Sequence, residues 1–388
     1  MQTVALLTSE ESFINNYGAA LQGYALYTTL KELGLAPCIV RYRGGEARNS
    51  QIAYRLFQVK RFLGKKYRAI VDSKPEQYTA EVLEKVKKRE RMFEDFSLSY
   101  MSFWNEKRVS WQQLRKKYPK CDCYICGSDQ IWNPYFKSGF NDPGYFLAFA
   151  PANSLKIAYA PSFGCDDIPE TARKTLPALL KDFNAISVRE QSSVEIVRKY
   201  ANRTAEHVLD PTLLRTDKQW RHIAKKPEGL PEHYILSYRF AESDSTKQMI
   251  DRIAMETGLP VVSLPLSAVA MKDDYYSVFE AGPQEFVGLI DNASLVCTDS
   301  FHATVFSIIM KTPVCVFLRE SYENGSSMNS RIYSLLKMLR LESHIITSDA
   351  QLSDAMNCIQ EDYTEAHEIL NVEREKSMKF LRDALRMN

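Results

Sequence analysis

Short hydrophobic runs alternate with longer amphipathic stretches along most of the chain. In the first half, the runs that we predict as strands are 4–7, 38–42, 123–126, 156–160 and 185–188. A second series starts afresh at 234–238 and continues with 260–264, 295–298 and 314–317. The pattern predicts helices between these runs at 19–33, 245–257 and 304–310. Strands that alternate with helices in this way are typical of βαβ units and parallel sheets.

The two series predict an α/β protein with two Rossmann-like, doubly wound domains that face a cleft. The stretch 211–231 is polar and contains three prolines, so we place the linker there. We therefore predict an N-terminal domain over 1–212 and a C-terminal domain over 213–358. The remaining segment, 359–388, is predicted to be a helix that packs back toward the N-terminal domain.

The amino-acid composition argues against some classes of binding partner. Of the 388 residues, 45% are hydrophobic and 25% are charged, and the net charge is +2. This balance gives no general attraction for nucleic acid, so we expect no such partner. The N-terminus lacks the basic flank of a signal peptide, and no apolar run reaches the roughly 18 residues of a membrane span. We therefore expect a cytoplasmic protein.

Three cysteines, at 121, 123 and 126, lie close together in the sequence. They fall on an alternating apolar segment, and no second Cys/His pair has zinc spacing. We interpret them as reduced thiols in a buried strand and expect no metal.

A basic amphipathic helix is predicted over residues 52–70. Its charge comes from Arg55, Lys60, Arg61, Lys65, Lys66 and Arg68. Such a helix either packs its apolar face on its own domain or lies on the anionic inner leaflet of a membrane.

Polar motifs follow several predicted strands, at the edge of a parallel sheet where ligands bind. The segment 15–22 joins the first strand to the first helix and contains Asn16 and Tyr17. Its small residues would let backbone N–H groups approach a ligand at the helix N-terminus. A tight strand-to-helix turn explains it equally well, and no GxGxxG motif is present.

The loop 127–134 (GSDQIWNP) follows the strand 123–126 directly. Asp129, Gln130, Trp132 and Asn133 together favour sugar binding, with the polar groups on hydroxyls and the indole on an apolar sugar face. The alternative is a helix that begins with an Asx cap at Asp129.

Three arginines are candidates for anion binding. Arg189 follows the strand 185–188, where its guanidinium could meet a phosphate or carboxylate, or could form a surface pair with Glu190. Arg239 ends the first strand of the second series. Arg331 opens a predicted helix and is either an anion ligand or a first-turn surface residue.

His302 is the candidate for proton transfer. It lies in 298–304 (TDSFHAT), between a strand and an apolar helix, with hydroxyls on both sides. A histidine at a helix N-terminus suits proton transfer to an anionic ligand. A purely structural histidine is the alternative.

Six of these motifs occur in an order that resembles a known family. They are 16–22 (NYGAALQ), 127–134 (GSDQIWNP), 187–190 (SVRE), 209–212 (LDPT), 299–304 (DSFHAT) and 329–332 (NSRI). Over residues 4–341 the chain resembles the polysaccharide pyruvyl transferases. The resemblance implies two Rossmann-like domains similar to the glycosyltransferase B architecture. It also implies phosphoenolpyruvate as donor, without a cofactor or metal, and a pyruvate ketal on a sugar as product. The sugar would belong to a bacterial surface polysaccharide or its lipid-linked precursor, with a 4,6-ketal on a galactose-type residue as the expected product.

For the reaction that the resemblance implies, we assign expected roles to the candidate residues. His302, Arg189 and Asp129 would be catalytic. His302 would be the general acid and Arg189 the phosphate ligand, and Asp129 would either activate the attacking acceptor hydroxyl or simply bind it. The donor would bind in the C-terminal domain at Arg239, Ser300, Asn329 and Arg331. The acceptor sugar would bind in the N-terminal domain at Asn16, Tyr17, Gln130, Trp132 and Asn133.

One departure from the family affects the donor site. Some members carry Arg-Leu-His where this chain has Ser300-Phe301-His302. If that arginine binds donor phosphate, Arg239 or Arg331 must replace it here.

Two alternative functions for the chain stay open. One is a glycosyltransferase of the same architecture that uses a nucleotide sugar, and the other is a non-catalytic polysaccharide-assembly protein, for which Ser300 is the best argument.

Overall fold

We describe the fold from a computed structural model of the chain. The described residues are 1–10, 16–44, 80–136, 140, 142–241, 243–266, 275–319, 329–347 and 352–387. The basic helix predicted over 52–70 lies outside them.

The first sheet has six parallel strands in the order β2-β1-β3-β4-β5-β6. The strands are β1 (Thr3–Leu7), β2 (Ala36–Ile39), β3 (Cys123–Cys126), β4 (Leu155–Ala158), β5 (Ala185–Val188) and β6 (Glu206–His207). Val4 of β1 pairs with Pro37 on one side and with Cys123 on the other. The strand order therefore reverses beside β1, and a crevice opens between the carboxyl ends of β1 and β3.

The second sheet also has six parallel strands, in the order β12-β11-β10-β7-β8-β9. The strands are β7 (Ile235–Tyr238), β8 (Val261–Ser263), β9 (Tyr276–Ser277), β10 (Leu295–Thr298), β11 (Val314–Phe317) and β12 (Ile345–Ile346). Counted from its own first strand, this is the 3-2-1-4-5-6 order of a Rossmann sheet, with a crevice between β7 and β10. The two sheets confirm the predicted fold class.

Helices connect the strands. They are α1 (Tyr17–Glu32), α2 (Ala80–Tyr100), α3 (Trp111–Lys116), α4 (Glu170–Leu180), α5 (Gln191–Ala201), α6 (Asp217–Arg221), α7 (Asp244–Thr257), α8 (Pro283–Asp291), α9 (Phe301–Met310), α10 (Ser330–Leu339), α11 (Leu352–Asn357) and α12 (Thr364–Ala384). Short 3-10 turns occur at Pro143–Phe146, Pro211–Leu214, Glu342–His344 and Cys358–Gln360.

The helix predicted at 304–310 begins three residues earlier, at Phe301. The Ser300 side chain caps it by accepting a hydrogen bond from the Ala303 N–H at 3.4 Å. A serine N-cap satisfies an N–H group that has no partner in the first turn of a helix. As a result, His302 lies in the first turn of α9.

The central strands are buried on both faces, which explains their continuous apolar sequences. Every residue of β3, β7, β10 and β11 is buried. One core cluster includes residues of both sheets. At its centre the Tyr17 ring of α1 stacks on Phe286 of α8, with ring centroids 4.6 Å apart, and the Tyr17 hydroxyl donates to the carbonyl of Ala281 at 2.9 Å. The two halves of the molecule therefore share buried contacts.

The last helix, α12, packs on the segment that follows the first sheet. The Ser377 hydroxyl accepts from the Leu209 N–H at 2.9 Å, and the Arg374 Nε donates to the Leu213 carbonyl at 2.7 Å. Tyr159, which follows β4, contacts the Phe380 ring of this helix. The residues after 363 thus contact the first half of the chain.

Within the described ranges, no helix combines the length and the apolar character that crossing a membrane requires.

Candidate functional site

A buried carboxylate, Asp210, joins the two halves of the candidate site. Asp210 follows β6 and is 1% exposed. Its Oδ1 accepts from the N–H and the hydroxyl of Thr212 at 3.0 and 2.7 Å. Its Oδ2 accepts from the Nη1 of Arg189 at 2.8 Å and lies 3.7 Å from the Nε2 of His302. One carboxylate therefore contacts an arginine of the first half and a histidine of the second.

These neighbours keep Asp210 ionised. Burial raises the pKa of the Asp210 carboxyl, but His302, Arg189 and the Thr212 N–H lower it by more. The pKa consequently lies well below its usual range, because opposite charges and hydrogen-bond donors favour the charged form.

Arg189 is buried at the carboxyl end of β5, with 5% of its surface exposed. Its Nε donates to Glu190 at 3.0 Å, and its Nη1 lies 3.7 Å from Asp129 in addition to its bond with Asp210. Burial lowers the pKa of Arg189, and the three carboxylates raise it by more. The pair with Glu190 exists, but it lies inside the protein and not on its surface.

Asp129 lies at the crevice between β1 and β3, as its place in the sequence predicts. Its backbone has a φ of 65°, a conformation that aspartate tolerates better than most residues. The Ser9 hydroxyl donates to its Oδ2 at 3.4 Å, and 13% of the side chain is exposed. The structure thus brings Asp129, Arg189 and His302 together around Asp210.

The His302 imidazole is packed between the two halves of the chain. A methyl group added at Gly18, in the first turn of α1, would overlap the Nδ1 side of the ring. The residue is 8% exposed, and its Nε2 has no hydrogen-bond partner among the described residues. An imidazole that is held firmly beside a carboxylate, with one nitrogen free of a hydrogen bond, can hold or transfer a proton.

A pocket lies beside this cluster. It is small and partly open to solvent, and its lining includes Arg189, Glu190, Asp210, Phe301, Arg331 and Ser334. Burial is the main reason that the pKa of His207, which also lines the pocket, is lowered. The guanidinium groups of Arg189 and Arg331 both lie over the Phe301 ring, at 4.5 and 5.6 Å from its centroid.

The other donor candidates have local structural partners. Arg239 donates through Nε to the Ser237 hydroxyl at 3.1 Å and is only half-buried. The side-chain amide of Asn329 exchanges two hydrogen bonds with the backbone of Arg319, at 3.1 and 2.8 Å. Ser300 caps α9. Of the four residues predicted to bind the donor substrate, only Arg331 lines the pocket.

Two aromatic acceptor candidates need correction. Trp132 is 0% exposed, its indole N–H donates to the Tyr145 carbonyl at 3.1 Å, and its ring stacks on Phe146. Tyr17 is also 0% exposed, in the contact with Phe286 described above. Neither ring has a free face, so neither can stack on a sugar in this structure.

The polar acceptor candidates are also engaged within the protein. The Asn133 amide donates to Gln130 Oε1 at 2.8 Å, and both side chains pack closely against Gly164. Asn16 caps α1 by accepting from the Ala19 N–H at 3.1 Å. These residues shape the loops around Asp129. The alternative prediction, a helix that begins with a cap at Asp129, is wrong, because no helix begins there.

Sequence reasoning gave no role to two charged residues of the site. Asp210 belongs to the 209–212 motif, but its sequence context does not indicate a function. Arg319, two residues after β11, pairs with Asp299 at 3.2 Å and lies over the Phe240 ring at 4.3 Å. The Asp299 carboxylate also accepts from the backbone N–H groups of Phe240 and Ala241, so it organises the crevice between β7 and β10.

The fold and the site define an α/β protein with a buried His/Asp/Arg cluster between two Rossmann-like halves. Residues 16–321 match the model of the polysaccharide pyruvyl transferase family, and the chain belongs to this family. The membership confirms the resemblance seen in the sequence and implies a transferase. No curated protein sequence matches the chain.

The solved structures that match the chain are remote in sequence. The UDP-GlcNAc 2-epimerase of Neisseria meningitidis, bound to UDP-GlcNAc, is 10% identical, with a TM-score of 0.47 and coverage of 100% of both chains. The UDP-GlcNAc 2-epimerase of Methanocaldococcus jannaschii, in complex with UDP-GlcNAc and UDP, is 11% identical, with a TM-score of 0.48 and coverage of 96% of this chain and 99% of the other. The MurG protein of Acinetobacter baumannii is 7% identical, with a TM-score of 0.42 and coverage of 100% of both chains.

Proposed function

We propose that the protein transfers the pyruvyl group of phosphoenolpyruvate to two hydroxyls of one sugar residue, forming a cyclic ketal and releasing phosphate. Phosphoenolpyruvate acts as a co-substrate, and the reaction needs no cofactor. Family membership supports the reaction class, and the geometry around Asp210 supports the choice of residues.

The observation that carries the proposal is the position of His302. The imidazole lies 3.7 Å from an Asp210 carboxylate that also binds Arg189. A proton donor and a phosphate-binding cation thus lie side by side at the carboxyl end of the first sheet. Donor activation requires this pair of functions.

In the first step, protonated His302 gives its proton to the methylene carbon of phosphoenolpyruvate. The carbon that bears the phosphate becomes an oxocarbenium-like centre. One sugar hydroxyl adds to that centre and loses its proton, which returns to the imidazole or passes to Asp129. General acid–base assistance of this kind contributes roughly 10²–10⁴-fold.

In the second step, the bond between carbon and the phosphate oxygen breaks, and the second hydroxyl adds to the same carbon. Its proton leaves with the phosphate, so one phosphoenolpyruvate and one diol give one ketal and one phosphate. Charge builds up on the departing phosphate. Arg189 is placed to stabilise this charge, because its Nη2 is buried and has no hydrogen-bond partner in the described structure.

The acceptor approaches from the first half of the chain in this proposal. Asp129 borders the crevice between β1 and β3 and keeps 13% of its side chain exposed, so it can accept a hydrogen bond from a sugar hydroxyl. The acceptor sugar is a galactose-type residue that receives a 4,6-ketal, in a surface polysaccharide or its lipid-linked precursor. The resemblance to the family supports this choice.

A lipid-linked acceptor would place the protein at the inner face of the cell membrane. We propose that the basic segment 52–70 makes that contact, because its sequence combines an apolar face with six basic residues. Neutralising Lys60, Arg61, Lys65 and Lys66 should reduce sedimentation with anionic liposomes. Unchanged sedimentation would exclude this contact.

Mass spectrometry of the acceptor tests the proposed reaction. The purified protein is incubated with phosphoenolpyruvate and each of a panel of galactosides and N-acetylhexosaminides. We expect one acceptor to gain the mass of a pyruvate ketal. If no acceptor gains this mass and uridine or guanosine nucleotides raise the melting temperature of the protein, the nucleotide-sugar glycosyltransferase is the better assignment.

A further inference from the structure

Arg331 is a buried cation that forms no ion pair with another described residue. It is the second residue of α10, and 6% of its surface is exposed. Its Nε has no hydrogen-bond partner, and no ion pair to it occurs within the described part of the chain. A buried charge is normally paired, because removing it from water is costly. No described residue supplies this partner, so the position is open to an anionic ligand.

A second cation lies close to the first. Arg189 and Arg331 share the Phe301 ring, and the Arg189 Nη2 is another buried N–H group without an acceptor. Burial, and after it the positive charge of Arg189, lowers the pKa of Arg331 to about 10. The charges of Asp129 and Glu190 oppose this shift without cancelling it. An anion between the two guanidinium groups would relieve their repulsion.

The position of Arg331 at the start of helix α10 also favours the binding of an anion. Its N-terminus has a partial positive charge and free backbone N–H groups, which favour an anion. The Ser330 hydroxyl at the start of the helix is buried and has no hydrogen-bond partner in the described structure. Ser334, one turn further along, lines the pocket together with Arg189 and Arg331.

We propose that Arg331 and Arg189 together bind a phosphate group in the pocket beside Phe301. Two planar guanidinium groups match the oxygens of a phosphate dianion. The identity of the molecule that carries the phosphate rests on the proposed function, whereas inorganic phosphate has the same binding chemistry and can serve as the probe.

The test compares three variants of the full chain. Arg331→Met removes the charge and keeps much of the volume, and Arg331→Lys keeps the charge and loses the planar fork. Lys337→Met removes an exposed positive charge from the same helix and serves as the control. Melting temperatures are measured over a series of inorganic phosphate concentrations, with sodium chloride added to hold the ionic strength constant.

We expect the wild type and Lys337→Met to show the same saturable rise in melting temperature with phosphate, because a ligand that binds only the folded state stabilises it. Arg331→Lys should need roughly 10- to 100-fold more phosphate for the same rise, as expected for a lost charge-assisted hydrogen bond. Arg331→Met should show no rise. Without phosphate, its melting temperature should equal or exceed that of the wild type, because an unpaired buried charge has been removed.

Two results would overturn the inference. One is an undiminished phosphate response in Arg331→Met and Arg331→Lys. The other is a strong loss of stability in both variants without phosphate, which would make Arg331 a structural residue. A parallel measurement of the KM for phosphoenolpyruvate separates this inference from the proposed function. Phosphate binding that depends on Arg331 in a protein without turnover would reject only the proposed function, whereas normal turnover in both variants would reject only the inference.

Discussion

The Nε2 of His302 lies 3.7 Å from the Oδ2 of Asp210. The two residues belong to different halves of the chain, since His302 follows the fourth strand of the second sheet and Asp210 follows the last strand of the first. The candidate site is therefore complete only when both halves are in contact. This contact also explains why a buried aspartate, histidine and arginine can share one small region, because their charges compensate one another.

The first prediction concerns the positioning role of Asp210. Asp210→Asn should lower kcat about 100-fold or more, because the neutral amide cannot balance a protonated His302 and its one oxygen cannot accept from both Arg189 and Thr212. Thr212→Val, which removes one donor to the other carboxylate oxygen, should lower kcat by roughly 10-fold or less. Steady-state kinetics on the folded fraction of both variants tests this order. A kcat for Asp210→Asn equal to that of the wild type would exclude the role.

The same carboxylate makes stability depend on pH. The pKa of Asp210 is lower in the folded chain than in the unfolded chain, so its charge stabilises the fold above a pH of about 4. This contribution is lost as the pH falls from about 4 toward the lower pKa of the folded state. At pH 7, Asp210→Asn should reduce the free energy of unfolding by about 3–5 kcal/mol, because it breaks a buried ion pair.

Urea unfolding of both proteins between pH 7 and pH 3 measures the effect. The difference in the free energy of unfolding should shrink below pH 4. A difference that stays constant over this range would contradict a lowered pKa for Asp210.

Gly18 is predicted to be required for the position of His302. Gly18→Ala should lower kcat about 100-fold, because the added methyl group overlaps the imidazole. The same change should not weaken the helix, since alanine favours helix formation by about 1 kcal/mol over glycine. Circular dichroism and the melting temperature check that the fold is kept.

A double variant separates the position of the ring from other effects of Gly18. If Gly18 acts through His302, adding Gly18→Ala to His302→Gln should reduce the residual rate no further. Additive losses in the double variant would show that Gly18 has another role.

Trp132 is predicted to matter for stability and not for acceptor binding. Trp132→Phe leaves the buried Tyr145 carbonyl without the indole donor and should lower the free energy of unfolding by roughly 1–3 kcal/mol. The KM for the acceptor should stay unchanged, because the indole has no exposed surface. A marked increase in that KM, with stability unaltered, would restore Trp132 to the acceptor site.

The sequence predicts the architecture well because the central strands are continuous apolar runs, which are easy to recognise. The strand at 123–126, for example, is observed with the predicted bounds. The edge strands β6, β9 and β12 were not predicted, since a run of two residues has no hydrophobic periodicity. The helix start at Phe301 was also missed, because the cap at Ser300 lies outside the apolar run.

The proximity of the candidate residues was predictable where they follow central strands. Asp129, Arg189 and His302 each follow such a strand, and the structure brings them together. Asp210 follows the two-residue strand β6, so no periodic pattern indicated that it would face the other half. The prediction that Trp132 binds the acceptor sugar was wrong for another reason. Its aromatic neighbours, which include Phe163 and Phe183, lie in distant segments that no local pattern connects to it.

The most direct test of the central claim is phosphate release from phosphoenolpyruvate, measured with and without acceptor sugar. Wild-type protein and His302→Gln are compared, with His222→Gln as the control, because His222 is exposed at the end of α6. The account predicts acceptor-dependent release with the wild type and the control, and a rate at least about 100-fold lower for His302→Gln with its fold intact. Acceptor-dependent release at an undiminished rate in His302→Gln would contradict it.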